Sequence, residues 1–556
     1  MESKGKGGEP NMVKKVVKYI WSRLAFYRIF LLAFWGIFLY WLRNYLFQFL
    51  IHKWSLTTAL KGVINMALYI LFALFWLYTS FITLRNRRYY KLTRRDFFAD
   101  SAKYYPRRYH ELVDTFHPAT IAELDVESLP KMTWAKSQGI IFGKKGHHLI
   151  SYEPGKDGYL FCAWGEPGCG KSSSVIIPTC ICFSGGAFVL DLKGEIHEKV
   201  TEFGRKNKIK RFSLLDPSHS AHFDPLINVR NAKDDEREEL LGTLSIIIIP
   251  NEESKDAMYF ITVARAFFMG IFLLSIHKAP DASFAEICEE IPKHPFSEWG
   301  SIIEKSGYGL ASKYTNRFRD ENPSNVGGGY SKLVDSLTIY TNGILRNLLT
   351  NTGEQINPAD LDRGDTDIYI QVAANKVDYY HALLGMLFET FIAETLEHRT
   401  LQDRQEKGKA KFHPCAFIID EFGQLPYMPS LIKMAQLGRG FSCNILLSTQ
   451  SIGSIDTHYG SGNRKTLLDC TKGHIFLSIK DPDTQKWASE LIGKHTVPRL
   501  STTVNNGTTE TMGSSYNNAE EPIYSPSEFG RLTNEDAVII FLAGQHVKGE
   551  KTYYFK

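Results

Sequence analysis

The spacing of apolar residues changes character along the chain. Gly62 to Leu84 is a run of 23 residues without a charge, long enough to cross a bilayer as a helix. Ahead of it, Ile29 to Leu42 is uncharged and rich in Phe, Trp and Leu. It is short for a span, but Arg28 and Arg43 at its ends can snorkel to the two interfaces and extend it. A signal peptide is the rival reading, yet no small-residue cleavage site follows and a second span does. The pattern predicts two transmembrane helices, about 25–45 and 62–84, within an anchor covering 1–95.

Residues 96–149 read as a linker and the start of a soluble body. From there the apolar runs are short. Tyr159–Trp164, Ala187–Asp191, Asp367–Val372, Cys415–Asp420, Asn444–Gln450, His474–Ile479 and Ala537–Leu542 each have the length and burial pattern of a strand. Helical stretches separate them, which predicts an α/β fold: a parallel sheet with helices on both faces. Residues 251–344 interrupt the pattern and are mostly helical, with a long apolar face on Ala257–Ile276. The nucleus of the fold is thus 150–250 with 345–556, and 251–344 is an inserted all-α domain. Asn322–Gly329 reads as a flexible loop and Ser501–Asn518 as a long surface loop.

Charge sharpens the division. The 556 residues carry 65 Lys and Arg against 60 Asp and Glu. Residues 1–95 hold 16 of the bases and only Glu2 and Glu9, a net of +14; the rest holds 49 against 58, a net of −9. The basic excess therefore reports membrane topology and contact with anionic lipid, not an affinity of the whole body for nucleic acid. Lys14, Lys15, Lys18, Arg23 and Arg28 precede the first span, and Arg85, Arg87, Arg88, Lys91, Arg94 and Arg95 follow the second. The positive-inside rule puts both ends in the cytoplasm. Eight cysteines, all beyond residue 160, lack paired metal-site spacing; Cys180 and Cys182 read as thiols in an apolar run.

Candidate chemistry begins where the first strand of the body ends. Gly165-Glu166-Pro167-Gly168-Cys169-Gly170-Lys171-Ser172 is a complete G-x-x-x-x-G-K-[ST], with Ser173 next. Glycines let successive N–H groups turn inward around phosphate oxygens. Lys171 reaches the β- and γ-phosphates, Ser172 offers a hydroxyl to Mg²⁺, and the following helix points its positive end at the anion. Such a loop needs an acid on a second strand tip. Cys415–Ile419 followed by Asp420-Glu421 supplies it: Asp420 to hold Mg²⁺, Glu421 to orient water as general base. Asp191 is a rival for the metal carboxylate. Gln450, at another strand tip, either senses the γ-phosphate or caps a loop. These parts describe an ATPase using ATP and Mg²⁺.

Seven blocks in order, GEPGCGKSSSVIIP, GGAFVLDLKGEIHE, SLLDPSHSAHFDPLINV, FIIDEFGQLPYMPSLIKMAQLGRGF, LLSTQSIGSIDTHYG, WASELIGKHTV and AVIIFLAGQHVKGEKTYYF, resemble the TraG-like coupling proteins of bacterial conjugation and type IV secretion. The resemblance covers about 140–250 and 345–556. It implies a RecA-like P-loop domain with an inserted helical domain proposed to face the substrate. It also implies a hexameric homo-oligomer tethered to the bacterial inner membrane with its ATPase body in the cytoplasm. The partners it implies are type IV channel proteins and a relaxase–DNA complex, protein effectors or both. By position, Lys171 and Ser172 bind nucleotide and metal, Asp420 and Glu421 are the Walker B pair, and Gln450 matches the glutamine motif. Arg439 is either an arginine completing a neighbour's site or a helix C-cap. Many relatives append an acidic tail; this chain stops at Lys556, so recognition through a tail is not expected. A chromosome-type DNA translocase and a membrane receptor with a structural nucleotide site are the alternative readings.

Overall fold

The seven short apolar runs of the body each become a strand of one sheet. The computed structural model describes residues 36–49, 60–75, 121–155, 157–252, 254–506 and 510–555. The strands are β1 Ile140–Lys145, β2 His148–Tyr152, β3 Leu160–Gly165, β4 Gly186–Asp191, β5 Lys208–Ser213, β6 Thr366–Gln371, β7 Cys415–Ile419, β8 Cys443–Thr449, β9 Thr471–Ser478, β10 Lys494–Asn506, β11 Glu510–Pro522, β12 Ala537–Leu542 and β13 Gln545–Glu550. Eleven of them form a sheet in the order β2-β1-β13-β12-β9-β3-β8-β7-β4-β6-β5. From β9 to β5 neighbouring strands are parallel. Every residue of β3, β4, β6, β7 and β8 is buried, as strands covered on both faces require.

The sheet is mixed, which corrects the expectation of a wholly parallel one. β12, β13, β1 and β2 continue it antiparallel. The cause is local. β12 and β13 are joined by Ala543-Gly544 alone, at φ 52° and 79°, and a two-residue turn with both φ positive closes only an antiparallel hairpin. The sheet thus takes in β1, which lies within the stretch 96–149 read as a linker and the start of the soluble body.

The helices named below are α1 Ser172–Cys182, α2 Glu195–Glu202, α3 Lys255–Lys278, α4 Pro323–Thr338 and α5 His381–Gln405. The connection from β5 to β6 is mostly helical, with α-helices from Ile227–Asn231 and Asp234–Ile248 onward. It is not set off by a core of its own: its Phe268, Phe272 and Leu333 belong to the same buried cluster as Phe188 and Phe417 of the sheet. The segment expected to be a flexible loop is the start of α4. Asn322 caps it, its Oδ1 accepting from Ser324 N–H at 3.0 Å, and Pro323 takes the first helical position. The glycines serve close approach to α3: a Cβ on Gly329 would stand 2.4 Å from Val263 Cβ. The expected surface loop Ser501–Asn518 falls largely on β10 and β11, which pair with each other. Its polar residues gave no alternating apolar signal.

The residues nearer the amino terminus contain helices at 36–49 and Leu60–Phe75. The rest of the two expected spans and the start of the linker lie outside the described residues. Among the described residues, the one helix long and apolar enough to cross a membrane is Ala257–Lys278 in α3, and 67% of its apolar window is buried; it is a core helix of the insertion. Arg43, expected at a membrane interface, packs against the other helix. It is 5% exposed, donates to Asn65 Oδ1 on the other helix and lies 3.5 Å over the Tyr69 ring. Ile37, Trp41, Val63, Met66, Leu71 and Leu74 are exposed on these two helices.

Candidate functional site

The carboxyl ends of β3, β8 and β7 lie side by side, and the predicted residues meet there. β3 ends at Gly165, where a Cβ would stand 2.4 Å from Cys169 Sγ, so a larger residue would force the Cys169 side chain to move. Gly168 and Gly170 have φ of 79° and 97°, left-handed geometry that turns neighbouring N–H groups toward one centre. α1 opens with a π-helical turn at Ser172–Ile176. Lys171 is 4% exposed. Its ammonium donates to the carbonyls of Gly165 at 2.6 Å and Glu166 at 3.3 Å and lies 3.7 Å from Glu421 Oε1.

β7 delivers the acids. Ser172 Oγ donates to Asp420 Oδ2 at 3.0 Å. Glu421 has φ 51°; its N–H donates to Asp420 Oδ1 at 3.0 Å. Gln450, leaving β8, donates from Nε2 to Glu421 Oε2 at 3.0 Å. Burial, with the adjacent Glu421 carboxylate, raises the Asp420 carboxyl above its usual range. A cation bound there reverses that cost. The residues enclose a cleft of about 460 Å³, also lined by Glu166, Pro167, Ser173, Lys193, Glu195 and Gln424.

Asp191, the rival for the metal carboxylate, lines the same cleft with its carboxylate already engaged. Its carboxylate accepts from the N–H groups of Ile196 at 3.3 Å and His197 at 3.0 Å and from Gln371 Nε2 at 3.2 Å. It fixes the start of α2. Glu166 is held from the neighbouring strand: Ser478 Oγ donates to it at 3.0 Å and Lys480 pairs with it. Burial pushes that carboxyl up, but the bonds from Lys480 and Ser478 outweigh it and leave it below the usual range. Cys169 is buried, and burial raises its thiol. Ser173 Oγ reaches Gly170 O at 3.4 Å. Cys180 is buried and Cys182 half-buried, donating to Pro178 O at 2.9 Å. Among the described residues no group of three His, Cys, Asp or Glu could hold a metal.

Arg439 is not part of this constellation within its own subunit. Its carbonyl accepts from Gly158 N–H at 2.8 Å, and its guanidinium reaches Asp157 at 3.4 Å over the Tyr159 ring. It sits by the amino ends of β3 and β8, one strand length, about 20 Å, from the phosphate loop. Its side chain is 67% exposed. Sequence reasoning missed Lys551, whose Nζ donates to Cys169 O at 2.9 Å. Lys551 lies in the last of the seven blocks, but nothing in the sequence ties it to a partner 382 residues away.

Residues 145–556 match the family described as type IV secretory system conjugative DNA transfer. The VirD4 protein of Agrobacterium fabrum is 22% identical over 398 residues, 69% of this chain and 57% of that protein. The type IV secretion system-coupling protein VirD4 of Bartonella henselae is 22% identical over 404 residues, 67% of this chain and 59% of that one. The chain therefore spans somewhat over half the length of these relatives. Among solved structures, the conjugative coupling protein TrwB in complex with ADP and Mg²⁺ superposes with a TM-score of 0.58 at 15% identity, over 79% of this chain and 94% of that one. That likeness places the body in the same α/β P-loop fold. The ordered motifs, the loop geometry and the match over most of its length make this chain a member of the type IV secretory system conjugative DNA transfer family.

Proposed function

We propose that the protein is a membrane-anchored ATPase of the coupling-protein kind. It receives relaxase-bound single-stranded DNA, protein effectors or both, and energises their passage into a type IV secretion channel by hydrolysing ATP. One observation carries the enzymatic part: Lys171, Glu421 and Gln450 form a contiguous polar set beside the Ser172–Asp420 pair, at the ends of three adjacent parallel strands. ATP and Mg²⁺ fit these residues. The glycine loop forms an anion cradle, and a hydroxyl with a carboxylate 3.0 Å away offers hard oxygen ligands. When bound, Mg²⁺ supplies positive charge at the β- and γ-phosphate oxygens.

The protein's own groups do the rest. Lys171 exchanges the carbonyls of Gly165 and Glu166 for phosphate oxygens. Glu421, released from Lys171, accepts a proton from the attacking water through a carboxylate oxygen. Gln450 orients that carboxylate through its Nε2 hydrogen bond. Arg439 is exposed and remote from its own site, which suits a residue acting on a neighbouring subunit in a homo-oligomer, most simply a hexamer.

Exposed apolar side chains on the helices at 36–49 and Leu60–Phe75 and the basic flanks at 14–28 and 85–95 favour a two-helix anchor. Both ends then lie in the cytoplasm of a bacterial cell, at its inner membrane. The helical insertion faces the incoming substrate. DNA contact rests on local Lys and Arg, since the body is net acidic.

Lys171→Ala tests the mechanism. We expect hydrolysis and substrate transfer to fall to background while the protein still fractionates with membranes. Transfer at the unmodified level removes the ATPase from the process.

A further inference from the structure

The segment after β13 turns back over the phosphate loop. Lys551, 4% exposed, donates to the Cys169 carbonyl at 2.9 Å. Tyr554 N–H donates to the Ser173 carbonyl at 3.1 Å. The segment is thus tied to the loop on both sides of Gly170-Lys171-Ser172. Tyr553 lies over Gly170, where a Cβ would meet its ring at 3.4 Å. Its phenol donates to Asp536 Oδ1 at 2.6 Å. Phe555 stacks on Tyr553, with centroids 5.1 Å apart and planes at 27°, and is 60% exposed. The Tyr554 ring is edge-on to Phe555 at 5.1 Å and to Phe203 at 5.6 Å.

The site has a direction. Ser172, Asp420, Glu421 and Gln450 mark the end where the γ-phosphate, metal and water belong. A triphosphate laid along the loop from that end passes Lys171 and Gly170, and its sugar and base leave on the side of Ser173. The stacked, partly exposed rings of Tyr553 and Phe555 stand beside Gly170 on a segment bonded to Ser173, next to the cleft rather than in its lining. Aromatic faces beside an anion cradle recognise the flat base of a nucleotide.

We propose that Tyr553 and Phe555 form the stacking platform for the base of the bound nucleotide, and that Lys551 and Tyr554 hold this platform to the phosphate loop. The proposal rests on reading Gly165–Ser172 as a phosphate loop. Stacking reads a face rather than a hydrogen-bonding edge, so the platform takes adenine and guanine alike.

The test is calorimetric titration of the full chain in detergent with Mg²⁺ and ADP, GDP or pyrophosphate. Tyr553→Ala and Phe555→Ala should each weaken ADP and GDP by about tenfold and leave pyrophosphate unchanged, and Tyr553→Trp should keep nucleotide affinity. Equal losses for ADP and pyrophosphate make the segment a mere support of the loop and overturn the platform. Unchanged ADP affinity in both alanine variants overturns it as well. If the unmodified chain binds neither ADP nor pyrophosphate, the phosphate-loop reading fails first and the platform with it.

Discussion

Glu421 shows how much of the site is set by single residues. Its φ of 51° is unusual for a side chain with a Cβ, a strain of about 1–3 kcal/mol of the kind found at functional positions. The strain aims the carboxylate at Lys171 and Gln450 instead of continuing β7. The sequence identified Glu421 as a candidate because an acid pair follows an apolar run; it could not show the backbone that separates the two acids' roles. Gln450 was ambiguous for the same reason, and its bond to Glu421 favours the catalytic reading. Asp191 looked equivalent to Asp420 in pattern, and only its helix-capping bonds tell them apart.

Glu394, on α5, carried no sequence signal. Burial raises its carboxyl to about 7 from an ordinary 4.5. Between those values the folded chain keeps a proton that the unfolded chain has lost. Its stability contribution is therefore full below about pH 4.5 and is lost as pH rises through 7. Glu394→Gln should stabilise the fold by about 3 kcal/mol at pH 8 and leave it nearly unchanged at pH 5. Thermal melts at the two pH values check this; a gain that does not depend on pH assigns the effect to packing.

At the scale of elements, strand existence was legible and strand direction was not. A buried run such as Ala537–Leu542 has the same composition whether its neighbour is parallel or antiparallel; the Ala543-Gly544 turn was the missed sign. The triple glycine of α4 misled in the opposite direction, because composition suggests freedom where the fold needs proximity. Gly329→Ala should be destabilising by about 1–3 kcal/mol. The clash at 2.4 Å is with Val263 Cβ, next to the α3 backbone, and exceeds the roughly 1 kcal/mol that alanine gains within a helix. A thermal melt of the variant checks the sign; a raised midpoint shows that α3 and α4 separate at little cost.

For the whole molecule, the P-loop and Walker B parts could be read from the chain, whereas assembly could not. If Arg439 serves a neighbour, Arg439→Ala should lower hydrolysis at least tenfold without changing ATP affinity, on the scale of a trans-acting arginine. An equimolar mixture with Lys171→Ala should recover part of the rate, since some sites then combine an intact loop with an intact arginine. ATPase assays on the mixture decide: no recovery, with single-variant rates simply averaged, places Arg439 in a structural role.

β13 also has a mechanical meaning. Glu123 bridges to His546, Leu124 N–H donates to His546 O at 2.8 Å, and β1 pairs with β13. The first described residues of the body are therefore held by β13, with Glu123 also paired to Lys145 of β1. Beyond Glu550 the same strand runs into Lys551 and Tyr554, whose bonds end on Cys169 and Ser173. β13 thus joins the first described residues of the body to the phosphate loop, so whatever loosens this one strand loosens both.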